Sequence, residues 1–213
     1  MLPPDIEQAI WDGVMPYLAK GRPGDVYHSR RAFRYGKRLC YLEGGDPCVV
    51  GTSLIGHDSG YGFLLEQFGI DLADLRYRQR LHMGCGAYLM WKNLDKLTKE
   101  SDEARTVFTE ERKTEIFNVI ASHDNPDDVF EWGNKNAIIV VEADRLDRYN
   151  VDRINDFRAI SSSFATENPT AWLRQGLKEW FATNTGKSLA NQLFKEFVEE
   201  MKEKSLKQKL AKS

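Results

Sequence analysis

No stretch of this sequence is apolar over the ~20 residues that a helix needs to cross a bilayer. The opening Met1-Leu2-Pro3-Pro4-Asp5 has neither the basic start nor the apolar core of a secretory signal. Cysteine is scarce. Cys40, Cys48 and Cys85 are odd in number and sit in apolar helical surroundings, which argues against a disulfide framework or a zinc knuckle and for reduced core thiols. An excess of one charge is also missing: 30 basic and 32 acidic residues leave a net −2. No overall field recruits nucleic acid, so an anionic ligand has to be drawn by a local cluster. Together these absences describe an expected cytoplasmic protein with neither a membrane nor a nucleic-acid polymer as partner.

What is present is helical periodicity along nearly all 213 residues. Asp5 is placed to cap a first helix whose stripe is Ile6, Ile10, Val14 and Leu18, ended by Gly21-Arg22-Pro23-Gly24. A second begins near Asp25 and sets His28, Ala32, Tyr35, Leu39 and Leu42 on one face, with Gly44-Gly45 as its stop. Asp46-Pro47 reads as a cap and first turn for a short helix running to about Asp58. Residues 59–75 suggest a loop with a short helix, and a long helix carrying His82 follows from about Leu75 to Leu97. Thr98 to Glu111 is charged and expected to be solvated; a helix from about Thr109 then carries Ile116, Val119, Ile120 and His123 on one stripe. Asp127 and Asp128 are assigned to a connection. The run Ala137-Ile138-Ile139-Val140-Val141 is short enough for a buried strand, but no second strand candidate exists to pair with it, so Asn136 to about Tyr149 is read as helix. Beyond residue 150, Asn168-Pro169 caps a helix bearing Leu173, Leu177 and Phe181, and a last helix with Ala190, Phe194, Phe197 and Met201 leads to a lysine-rich, solvated tail from Lys202.

Only four histidines occur, His28, His57, His82 and His123, each on a different predicted helix or helix end. An imidazole on a buried face must find a partner or suffer desolvation. Several helices that present imidazoles inward, with carboxylates beside them, meet that demand together by holding metal. The doublet His57-Asp58 supplies a nitrogen and an oxygen donor from one turn, and Asp144 offers another oxygen. Such mixed donors suit iron or manganese, and also zinc, cobalt or nickel, better than calcium or a thiolate-seeking metal.

In order, His28, His57-Asp58, His82, His123 and Asp144 resemble the H…HD…H…H…D signature of the HD superfamily. The surroundings are similar too: His28-Ser29-Arg30-Arg31-Ala32 opens a helix, Thr52-Ser53-Leu54-Ile55-Gly56-His57-Asp58-Ser59-Gly60 resembles the apolar-HD-x-G segment, and Glu142-Ala143-Asp144-Arg145-Leu146-Asp147 resembles the family's "aDrld" helix. The resemblance spans about residues 22–150, roughly two thirds of the chain, and its specificity lies in the ordered set, since an HD doublet alone is weak. It implies an all-α fold, an HD-type helical bundle in one domain over 1–213 with a C-terminal helical extension from about residue 151. It further implies two divalent transition metals, the first held by His28, His57, Asp58 and Asp144, the second by His82 and His123 with Asp58 bridging. Family phosphohydrolases often carry a lysine or arginine three residues after the doublet's aspartate; Tyr61 stands there, so a phosphate-contacting cation is expected to be missing.

The implied chemistry is hydrolysis of a phosphomonoester or phosphodiester, of a nucleotide or another small metabolite, by a hydroxide bridging the metals. Asp58 is the residue on which it centres. Asp124 is a candidate proton carrier or orienter of the neighbouring histidine, and Arg30, Arg31 and Arg145 are candidates to hold substrate oxygens, Arg145 having Asp147 as its alternative partner. Arg76, Arg78 and Arg80 beside Asp71 and Asp74 read as a salt-bridged surface more readily than as a lid. Two rival functions keep the same residues: a di-iron oxygenase of the HD fold, and a non-catalytic nucleotide-sensing module. The expected partner is a small phosphorylated substrate; a homodimer is left open. Trp172, Trp180 and Phe181 are expected to pack as core more readily than to line a pocket, and Thr185-Gly186-Lys187-Ser188 resembles the tail of a phosphate loop but lacks its earlier glycine and its strand, and is set aside.

Overall fold

The computed structural model describes residues 2–69, 75–160 and 168–210, with backbone alone at 75–80 and 208–210. Arg76, Arg78 and Arg80, with Asp71 and Asp74, therefore have no described side chains. Among the described residues the chain is all-α.

Helices α1 (Pro4–Lys20), α2 (Asp25–Glu43), α3 (Pro47–Gly56), α4 (Gly60–Phe68) and α5 (Leu75–Glu100) come first. They are followed by α6 (Asp102–Val107), α7 (Glu110–Ser122), α8 (Pro126–Trp132) and α9 (Lys135–Leu146), which runs into a 3-10 turn over Asp147–Tyr149. The order ends with α10 (Val151–Ile160), α11 (Pro169–Glu179) and α12 (Asn184–Leu210). Start signals fall where the sequence puts them. Asp46 accepts from the backbone N–H groups of Cys48 and Val49, Thr109 from Arg112, and Asn168 from Thr170 and Ala171. In each case a side-chain oxygen satisfies donors that the first helical turn leaves orphaned.

Four local expectations change. Asp5 lies inside the first turn of α1, with Pro3 at the cap, because Pro4 takes the first helical position. The charged segment Thr98–Glu111 includes a helix, α6, capped by Ser101, and buries Ala104 and Phe108; two apolar residues among many charges suffice to fold it inward. Asp127 and Asp128 occupy the first turn of α8, where carboxylates favour the positive end of the helix dipole. The tail stays helical to Leu210, its side chains from Lys202 to Lys207 exposed.

The run Ala137–Val141 is helix, and α9 is the centre of the bundle, packed by α2, α3, α7, α8 and α12. Its Ile139, Val140, Val141 and Ala143 join Ile10, Val14, Leu39, Leu54, Ile55 and Ile120 in one core. Cys40 is buried in that core, and all three thiols are free. Helices α1, α4 and α5 close on one another. That closure needs glycine: a Cβ on Gly62 would lie 1.8 Å from the Tyr17 carbonyl oxygen, and one on Gly60 would lie 1.9 Å from that of His82. The C-terminal helices are fastened by Glu142 of α9, which is fully buried. Its Oε1 accepts from the N–H groups of Ala182 (2.8 Å) and Thr183 (2.7 Å), and its Oε2 from the Thr183 hydroxyl (2.6 Å). A carboxylate of the fold itself thus accepts from the two residues that lead into α12, immediately before the segment Thr185–Ser188. No described helix is long and apolar enough to cross a membrane.

Candidate metal centre

Each histidine is placed by a different helix. His28 stands in the first turns of α2, inside the stripe that buries Ala32 and Leu39. His57 and His123 occupy matching positions, immediately past the last residues of α3 and α7. In both, the ring turns back so that Nδ1 meets the carbonyl three residues earlier, Leu54 O at 2.9 Å and Ile120 O at 2.7 Å. A carbonyl only accepts, so Nδ1 must carry the proton and Nε2 presents its lone pair. His28 is held alike by Asp147, whose Oδ2 lies 2.7 Å from Nδ1. His82 comes from α5, brought close by the small residues at Gly60 and Gly86. No histidine is more than 1% exposed.

The four Nε2 atoms converge around Asp58. His28 Nε2 is 3.0 Å from His57 Nε2, 3.0 Å from Asp144 Oδ1 and 3.3 Å from Asp58 Oδ2. His57 Nε2 is 3.4 Å from Asp58 Oδ2 and 3.6 Å from Asp144 Oδ1. Donors about 2.0–2.2 Å from one ion lie about 2.8–3.6 Å from each other at octahedral or tetrahedral angles, a range that includes the spacings of this first group. A second group lies on the other oxygen of the same carboxylate. His82 and His123 Nε2 are 3.3 Å apart and stand 3.8 and 3.9 Å from Asp58 Oδ1. The two clusters, His28-His57-Asp58 and Asp58-His82-His123, are each compact enough to hold a metal ion. Lone pairs aimed at one another in a dry interior repel unless a cation lies between them, so the donor set fits metal.

The charges around the cluster agree. Burial works against ionising Asp58, yet Arg22, His57 and His28 hold its carboxyl well below the ordinary range. Asp144 is likewise pulled well below, against burial, by the imidazoles of His28 and His57 and by Arg148. Burial and Arg153 oppose a proton on His28, but Asp144, Asp147 and Asp58 accept from it and carry it up to about 10. His82 goes the other way: burial and His123 press it down to about 4. The first cluster therefore keeps a proton that a metal must displace, whereas His82 is already neutral.

Several residues around this cluster were not singled out from sequence. Arg22, in the break before α2, donates to Asp58 Oδ2, and its Nε donates to Asp25 Oδ1 at 3.1 Å. Its guanidinium lies 3.9 Å above the Tyr61 ring, and Tyr61 stacks on His82 at 4.2 Å. A cation does stand beside Tyr61, delivered from the break before α2 and paired with Asp58 and Asp25. Arg153 is 3.5 Å from Asp25 and 3.8 Å from Asp58. Arg148 Nη2 sits 3.4 Å from Asp144 Oδ2 and 3.8 Å from Asp124 Oδ1. Its place one helical turn after Asp144 was a usable signal; those of Arg22 and Arg153 were not.

Of the remaining candidates, Asp124 does lie at the second cluster, its Oδ2 3.5 Å from His82 Nε2. Its carboxyl is lowered, since His123, His82 and Arg148 outweigh burial and the nearby Asp144. Arg30 is directed away: it is exposed, with its guanidinium 5.6 Å from the centroid of the Trp11 ring. Arg31, not Arg145, pairs with Asp147, at 2.5 Å from Oδ1 and 3.1 Å from Oδ2. The reason is direction: α2 lies against the 3-10 turn and presents Arg31 to Asp147, while Arg145 points toward Trp180. In comparisons with known proteins, no family model, curated protein or solved structure matches the chain.

Proposed function

We propose that this chain is a metal-dependent phosphohydrolase of the HD type, acting on a phosphate ester of a nucleotide or other small metabolite. One observation carries the reading: the two oxygens of Asp58 belong to two separate groups of inward-facing imidazole nitrogens. That is the arrangement of a carboxylate shared between neighbouring cations. Asp144 would complete the first position, and the ordered H…HD…H…H…D resemblance supports the family. Two bound divalent ions would supply an acidified water and neutralise charge gathering on a phosphate.

The chain's own groups prepare the rest. Asp25, Asp58, Asp124, Asp144 and Asp147 are ringed by Arg22, Arg31, Arg145, Arg148 and Arg153. With the carboxylates so balanced, added cations leave a surplus of positive charge, which favours an anionic substrate. Asp124, at 24% side-chain exposure and beside His82, is placed to move a proton between the centre and solvent.

The test is elemental analysis of the purified chain, coupled to a phosphatase, nucleotidase and phosphodiesterase panel with added manganese, iron, cobalt or nickel. Asp58→Ala should lose metal and turnover while its helical circular dichroism is kept. A coloured, air-sensitive iron centre that turns over no phosphate ester would replace this reading with the oxygenase one; tight nucleotide binding without turnover under any metal would replace it with the metal-stabilised sensing module.

A further inference from the structure

Arg145 follows Asp144 on α9 and is only 5% exposed. Its guanidinium makes no ion pair with any described residue, and its Nε has no hydrogen-bond partner. Its neighbours sharpen the anomaly. Arg148 lies one turn away, and both guanidiniums lean over the same indole, that of Trp180, at 5.8 and 5.0 Å from its centroid. Arg148 is itself loosely held, its 3.4 and 3.8 Å approaches to Asp144 and Asp124 being longer than the contacts of a well-made charge-assisted hydrogen bond. Two like charges against one ring, one of them nearly buried, repel and gain from an anion that both can reach. The ring face of Trp180 offsets only part of that. Arg148 retains 19% side-chain exposure, so the pair is reachable from solvent beside Asp124 and Asp144.

We infer that Arg145, Arg148 and Trp180 form an oxyanion subsite at the edge of the metal centre, which takes the tetrahedral phosphate group of the substrate. That the anion is a phosphate rests on the phosphohydrolase reading; that an anion binds there rests on the unpaired Arg145 and the loosely held Arg148 over one indole. Guanidinium forks match phosphate oxygens in pairs, and an indole floor fixes the guanidinium planes.

Inorganic phosphate is the probe, titrated by calorimetry into the full chain, both metal-loaded and chelator-treated, with metal content measured on each sample. Phosphate should bind the wild type, and Arg145→Met and Arg148→Met should each weaken it at least tenfold with metal content unchanged. Phosphate should also change tryptophan emission, and Trp180→Phe should abolish that change. Because Arg145→Met removes an unpaired buried charge, its Tm without phosphate should not fall below that of the wild type, and the rise in Tm with phosphate should vanish. Equal phosphate affinity in wild type and variants, or none in the wild type, would overturn the subsite and leave the metal reading standing. A chain that binds no metal yet loses phosphate affinity in the variants would do the reverse. Should Arg145→Met fail to fold, the partly exposed Arg148→Met carries the same comparison.

Discussion

Asp147 touches neither metal position, yet its removal should be felt there. It is fully buried and does two jobs with two oxygens: Oδ2 accepts from His28 Nδ1 at 2.7 Å, and Oδ1 accepts from Arg31 Nε at 2.5 Å. Asp147→Ala removes both. Loss of the acceptor behind a ligating imidazole lets the ring turn and change tautomer, which typically lowers metal affinity about 10–100-fold, or about 1.4–2.7 kcal/mol. Loss of the partner leaves Arg31 unpaired. Breaking a buried pair costs about 3–5 kcal/mol, and the lower figure applies because Arg31 is 14% exposed and can turn outward. For a chain of 213 residues, about 3 kcal/mol corresponds to a fall in Tm of about 6–12 °C. Asp147→Asn separates the two roles, since its amide oxygen still accepts from His28 while the charge facing Arg31 is gone. Calorimetric metal titration and thermal unfolding of the three proteins should show the alanine variant losing affinity and stability, and the asparagine variant losing mainly stability. A folded Asp147→Ala protein that binds metal as tightly as the wild type would refute the orienting role.

The metal-free chain should lose stability as pH rises. His28 is raised from 6.5 to about 10, so its stabilisation is complete below pH 6.5 and disappears as pH climbs toward 10; Asp58 and Asp144, both depressed, add stabilisation that is lost in acid below about pH 4. Metal must displace the His28 proton, so its affinity should rise over the same alkaline interval; thermal melts at stepped pH, with and without metal, check both limbs. Gly60→Ala drives a Cβ against backbone atoms of α5, 1.9 Å from His82 O and 2.7 Å from Gly86 N, and should cost about 2–3 kcal/mol in chemical denaturation while reducing metal content. The same substitution at Gly69, whose Cβ would meet nothing, should leave metal content unchanged, with only the strain of its left-handed backbone lowering stability.

The imidazoles were legible because helical period does the work of placing them. His28 and His123 continue apolar stripes, His57 follows a mostly apolar helix, and a side chain on such a face is driven inward. Asp144 came with the buried run before it. The guanidiniums were not legible, since arginine is usual on polar faces and only tertiary placement turns it inward. Arg22 stood in a Gly-Pro break that signals a turn and nothing more. Arg30 and Arg31 show the limit most plainly: adjacent on one helix, they differ by about 100° in direction, and only packing decides which of them meets Asp147. The charged Thr98–Glu111 segment failed for a related reason, because its two inward residues, Ala104 and Phe108, are outnumbered by solvated ones.

The clasp made by Glu142 bears on where this chain can be cut. It ties the two residues that lead into the last helix to the same helix that delivers Asp144. A chain ended near residue 150 would keep every ligand atom of the cluster and still leave a carboxylate stranded in apolar surroundings, two residues from one of them. It would also leave Arg145 and Arg148 without their indole. The last third of the molecule, by composition a mere appendage, is the wall against which the helix of Asp144 is built.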